Sequence, residues 1–120
     1  MKQILLAGAG KIGAMIANLL TSTGEYQVTV ADRSAQQLDA LVGGPLLRKR
    51  QLDLTNPAEL SEAMKGQFAV LSAAPYSITS YIARAARSAG VHYLDLTEDV
   101  ATTRLVKTLA ADASTAFIPQ

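Results

Sequence analysis

Short apolar runs and helical stripes alternate along the whole chain, and this alternation constrains the fold more than any other feature. The runs are Gln3–Ala7, Gln27–Ala31, Leu46–Leu52, Phe68–Ala73, His92–Leu96 and Thr115–Ile118, with starts about 20–25 residues apart. Runs of this length, rich in Val, Ile and Leu, read as buried strands of a parallel sheet. Between them lie residues with helical period. Ile12, Met15, Ile16, Leu19 and Leu20 form one stripe. Leu38, Leu41 and Val42 form a second, and Leu60, Ala63 and Met64 a third. Ile78, Ile82, Ala85, Ala86 and Ala89 form a fourth, and Leu105, Val106, Leu109, Ala110 and Ala113 a fifth. Each recurs at the three- and four-residue spacing of one helix face.

The boundaries carry their own chemistry. Ser34 followed by Gln37 fits a capping box. Asn56-Pro57-Ala58-Glu59 places a capping Asn, a Pro at the first helical position and a Glu at the third. Gly24, Gly43, Gly66 and Gly90 fall where helices should stop. Six strands and five helices in strict alternation predict an α/β fold, a doubly wound parallel sheet with helices on both faces. The expected six-stranded order is 3-2-1-4-5-6, the Rossmann arrangement.

Composition narrows the class. At 120 residues the chain is one domain, and 49% hydrophobic residues suffice for a core. A net charge of +1 exerts no global pull on nucleic acid or a membrane. With no Cys there are no disulfides, no thiolate zinc site and no thiol nucleophile, which fits a reducing cytoplasm. No apolar stretch approaches the ~20 residues of a membrane span.

The first chemical motif is Gly8-Ala9-Gly10-Lys11-Ile12-Gly13. It follows a strand and opens a helix, the context in which G-x-G-x-x-G binds a dinucleotide. Gly8 allows the tight turn, Gly10 the approach of a pyrophosphate, and Gly13 the packing of helix on strand. The helix start at Lys11 and Ile12 offers free N–H groups to an anion. Asp32 ends the second run, 19 residues past Gly13. A carboxylate there accepts hydrogen bonds from ribose hydroxyls and disfavours a 2′-phosphate, which points to NAD. Arg33 beside it could receive that phosphate, which keeps NADP open.

Asp53, at the end of the third run, either borders the adenine or serves a turn toward Asn56-Pro57. Arg48-Lys49-Arg50 reads as a protected sheet edge rather than a nucleic-acid patch. The fourth run ends in Ser72-Ala73-Ala74-Pro75-Tyr76 and the fifth reaches Asp95. Ligands of open α/β sheets bind outside the carboxyl ends of the strands, at the switch point. Ser72, Ala73, Ala74, Pro75 and Tyr76 are therefore expected beside the pyrophosphate and nicotinamide ribose, with Asp95 facing the same cleft. The cluster Asp95, Glu98 and Asp99 does not read as a metal site: Thr97 can cap the last helix while Glu98 and Asp99 complement its dipole. His92, the single histidine, reads as a surface residue at a strand start, and Tyr81 and Tyr93 as packing residues.

Val70–Tyr76 followed by Ala89–Glu98, together with the glycine motif and Val30-Ala31-Asp32-Arg33, resembles the saccharopine dehydrogenase family. The glycine and aspartate motifs are generic to dinucleotide binders; "AAPY" and "AGVHYLDLTE" are more specific. The resemblance covers the chain but only the family's N-terminal cofactor domain. It implies an NAD(P)-dependent oxidoreductase acting on a C–N bond of an amino acid or amine. It further implies a second domain for the small-molecule substrate and for dimerisation. It places Ala73–Tyr76 and Asp95–Thr97 near the nicotinamide and supplies no catalytic residue. The chain is expected to be a piece of such a two-domain enzyme, binding cofactor without turnover. The alternative is an NAD(H)-sensing regulatory module of the kind that gates potassium transport. In that reading Ala74-Pro75-Tyr76 and His92–Glu98 have no evident purpose.

Overall fold

The computed structural model describes residues 2–95 and 117–118. The elements in chain order are β1 (Lys2–Ala7), α1 (Lys11–Ser22), β2 (Tyr26–Asp32), α2 (Ala35–Asp39) and β3 (Leu47–Gln51). These are followed by α3 (Pro57–Met64), β4 (Ala69–Ser72), α4 (Tyr76–Ala89), β5 (His92–Asp95) and β6 (Phe117–Ile118). The strands form one parallel sheet in the order β3-β2-β1-β4-β5-β6. This is the expected doubly wound order. β1 is central, and the direction of winding reverses between β1 and β4. The fifth helical stripe, Leu105–Ala113, lies outside the described residues, as does Leu96.

Alternation along β1 divides the core into two layers. Leu5 and Ala7 join Leu60, Met64, Ile82 and Ala86 of α3 and α4 on one face. Ile4 and Leu6 join Ala17 and Leu38 of α1 and α2 on the other. Both faces of the central strands are thus covered, which explains why they read as continuous apolar runs. β3 is the exception. Arg48, Lys49 and Arg50 are exposed because this strand is the sheet edge, and Lys49 Nζ donates to the Leu41 carbonyl at 2.9 Å.

The helix starts differ in kind. Ser34 Oγ accepts from Gln37 N at 3.2 Å, and Asn56 Oδ1 accepts from Ala58 N and Glu59 N at 2.9 and 3.3 Å. The starts of α1 and α4, at Gly10 and Pro75, have no side-chain cap. Gly24, Gly66 and Gly90 adopt positive φ, and Gly90 closes α4 in the left-handed conformation.

Two stripes turn out differently from their sequence pattern. α1 lays Gly13 and Ala17 on the sheet, while Ile12, Met15 and Leu19 face outward at 57–60% exposure. Gly13 and Ala17 face inward because this helix lies close to the strands, and Ile16 and Leu20 pack partly buried against the same core. α2 stops at Asp39, well before Gly43, and leaves Val42 exposed.

Candidate functional site

The chain leaves β1 through Gly8, whose φ of +109° bends the backbone away from the sheet. Its N–H extends the ladder to the Ala31 carbonyl at 2.8 Å. A β-carbon on Gly8 would sit 2.8 Å from the Ala73 carbonyl oxygen, and one on Gly13 would overlap the Gly8 carbonyl. Gly8 and Gly13 are therefore required by the protein itself. Gly10 differs. Its φ of −71° and ψ of −168° suit any residue, and a β-carbon there would meet nothing within 4 Å.

Beyond Gly10, α1 begins with Lys11 and Ile12 exposed and Gly13 buried. Its first ladder bond is Ala14 N to Gly10 O at 2.8 Å. The amides of Lys11, Ile12 and Gly13 are left for an outside acceptor.

The Asp32 carboxylate bridges two loops. Oδ2 accepts from Ala9 N at 2.8 Å, and Oδ1 accepts from Ser34 N at 2.9 Å. Arg33 is exposed, and its carbonyl accepts from Gln51 Nε2 at 3.1 Å. Asp53 is fully exposed and serves its turn: Oδ1 accepts from Thr55 Oγ1 at 2.7 Å and Thr55 N at 2.9 Å. The Thr55 hydroxyl, then its amide, then the charge of Arg33 hold the Asp53 carboxyl below its ordinary value.

Across the switch point, Ala73 N donates to the Ala7 carbonyl at 2.8 Å, drawing the end of β4 under the glycine loop. Ala74 is buried on the α4 side, Pro75 is exposed, and Tyr76 is the first residue of α4. Asp95 ends β5 and pairs in register with Ser72. Ser72 corrects the sequence reading. It is fully buried, with its hydroxyl 3.3 Å from that of Thr79, so its side chain packs β4 against α4 rather than facing a ligand.

Gly8, Asp32, Arg33, Asp53, Ala74 and Pro75 line one cleft of about 550 Å³. Ser34, Gln37, Leu54, Thr55, Ser77, Ile78 and Tyr81 complete its wall. Tyr81 is a site-lining residue that the sequence reading assigned to packing; it is 43% exposed. The available signal was position: with Ser77 and Ile78 it shares the face of the first turns after the β4 loop. Tyr93 is fully buried in the core. His92 starts β5, at the opposite end of the sheet from the cleft, with its ring centroid 4.9 Å from that of Phe68. A larger hollow of about 680 Å³ lies between α3 and α4 around Ser61, Arg84 and Ser88. It shares Tyr81 with the cleft but is lined by neither the glycine loop nor Asp32, so size does not make it the site. Among the described residues no cluster of potential metal ligands occurs, and no helix is long and apolar enough to cross a membrane.

The family described as saccharopine dehydrogenase NADP binding domain has a model that matches residues 4–116 of this chain. Among solved structures, apo saccharopine dehydrogenase (L-Glu forming) from Saccharomyces cerevisiae superposes with a TM-score of 0.87 at 20% identity. That likeness spans 99% of this chain and 27% of the yeast chain. UDP-glucuronic acid 4-epimerase from Bacillus cereus, in complex with NAD, gives 0.79 at 14% identity, over 98% of this chain and 55% of that one. A short-chain dehydrogenase/reductase from Veillonella parvula, in complex with NADP, gives 0.73 at 14% identity, over 98% and 67%. At such identities these likenesses establish the fold.

Proposed function

From the premise that this chain belongs to the saccharopine dehydrogenase NADP-binding-domain family, with NAD(P) as its cofactor, we propose that it is the cofactor half of an enzyme. That enzyme would oxidise or reduce a C–N bond of an amino acid or amine. The observation that carries the reading is Gly10. Neither its backbone angles nor any protein neighbour within 4 Å requires glycine there. The unfilled space beside it, at a helix start without a side-chain cap, suits a pyrophosphate taken by backbone N–H groups.

The residues divide the work. The amides following Gly10, with the positive end of α1, would bind the pyrophosphate. The lone pairs of Asp32 not used by Ala9 and Ser34 would accept the adenosine ribose hydroxyls, which favours NAD. Arg33, exposed at the cleft wall, is the group through which a 2′-phosphate would be held. Asp53, Leu54, Ile78 and Tyr81 would border the adenine. Ala73 to Tyr76 and Asp95 would lie toward the nicotinamide. The bound cofactor supplies hydride transfer; this domain supplies binding, orientation and electrostatics. Substrate contacts and dimerisation would reside in a further domain, and the chain would bind cofactor without turnover. Family membership favours this reading over a potassium-transport sensor.

Calorimetric titration of the 120-residue chain with NADH and NADPH tests the proposal. Saturable binding is expected. Absence of binding of both at millimolar ligand overturns it.

A further inference from the structure

We propose that Asp32 is a positioning residue for the glycine loop, in addition to its role toward the ribose. The inference rests on the dinucleotide reading of the cleft but not on any contact with cofactor. Three consecutive links tie the loop to β2 and its exit. The last residues of β1 and β2, Ala7 and Ala31, pair in register. Gly8 N then bonds the Ala31 carbonyl at 2.8 Å, one step past the end of β1. At Ala9 the chain has turned away, and its N–H is taken by a side-chain oxygen, Asp32 Oδ2, at 2.8 Å. The other oxygen takes Ser34 N at 2.9 Å. One carboxylate thus holds both the turn before α2 and, 23 residues away in sequence, the loop before α1.

The chemistry requires an acceptor on both oxygens. A carboxylate has two acceptor oxygens; an amide has one, and its NH2 group would oppose an N–H donor. Asp32→Asn therefore preserves the shape but must lose one of the two bonds, and Asp32→Ala loses both. The consequence reaches the anion site. Gly10 and the start of α1 follow directly on Ala9, so releasing Ala9 frees the amides that would face a pyrophosphate. Pre-orientation of those donors is then lost, and binding must pay for ordering them.

Two measurements decide the matter. In the ligand-free protein, amide hydrogen exchange should find Ala9 N–H protected about tenfold or more relative to Lys11 N–H, with that protection lost in Asp32→Ala. Equal exchange of Ala9 and Lys11 in the wild type overturns the proposal. The second compares ADP with 2′,3′-dideoxy-ADP, which lacks the ribose hydroxyls. If Asp32 also positions the loop, Asp32→Ala weakens both ligands by about tenfold. If it acts through the ribose alone, the dideoxy compound binds the variant as tightly as the wild type, or tighter once the negative charge is gone. Failure of the wild type to bind ADP would count against the dinucleotide reading, while the exchange measurement would still decide the positioning role.

Discussion

Gly13 packs its α-carbon against the carbonyl of Gly8, leaving no room for a β-carbon. This contact sets how closely α1 approaches the turn out of β1. Gly8 is confined in the same way by the Ala73 carbonyl. Glycine at both positions is thus a condition of folding, whereas at Gly10 it is not.

Gly13→Ala should therefore destabilise the chain by about 2 kcal/mol or more, the range of overpacked sites where only backbone can give way. Denaturant unfolding measures this. A loss below about 0.5 kcal/mol would show that α1 can move off the strand.

Gly10→Ala should do the reverse. Its stability should lie within about 1 kcal/mol of wild type, the cost of alanine at an N-cap. NADH affinity should fall at least about tenfold through lost hydrogen bonds to a charged group. Unaltered affinity in a folded variant would remove the main support for the pyrophosphate site.

Cofactor preference rests on Asp32 and Arg33. Asp32→Ala should weaken NADH more than NADPH, and Arg33→Ala should weaken NADPH more than NADH. Paired titrations of both variants give the answer; the opposite order would reverse the assignment to NAD.

The Asp53 turn predicts a pH effect. Its folded pKa lies below the ordinary 3.8, chiefly through the Thr55 hydroxyl, so its contribution to stability is present above that value. The contribution is lost as pH falls through the folded pKa. Thr55→Val removes the largest cause and should raise the Asp53 titration midpoint, as followed by NMR of its carboxyl carbon. An unchanged midpoint would mean that the hydroxyl does not hold the charge.

Capping gives a purely structural check. Asn56→Ala removes the acceptor for Ala58 N and Glu59 N and should cost about 1 kcal/mol in thermal or denaturant unfolding. NADH affinity should not change, since Asn56 is absent from the cleft wall.

Much of this was readable from residue order alone. The alternation of strand runs and helix stripes, the glycine motif and Asp32 each depend on spacings within about thirty residues, and such local relations survive in a linear text. The α1 stripe divides, with Ile16 and Leu20 against the core and the rest outward, because periodicity reports that apolar residues share faces, not which face meets the sheet. Ile12, Met15 and Leu19 obey the helical period yet point outward, since Gly13 and Ala17 are what the strands accept. Ser72 is buried and Tyr81 lines the cleft for a similar reason. Burial of one and exposure of the other depend on how α4 lies over β4, and that angle is set by packing across the chain.

Sequence by itself determined the class of fold, the strand order expected of it, and the glycine and aspartate motif on which the dinucleotide proposal rests. It could do so because backbone hydrogen bonding and side-chain period are local constraints. Only the tertiary structure separated Gly8 and Gly13, which folding needs, from Gly10, which it does not, and only it joined Asp32 to Ala9. Those distinctions depend on atoms brought within about 3 Å from distant parts of the chain, and only close packing of the folded chain brings them together.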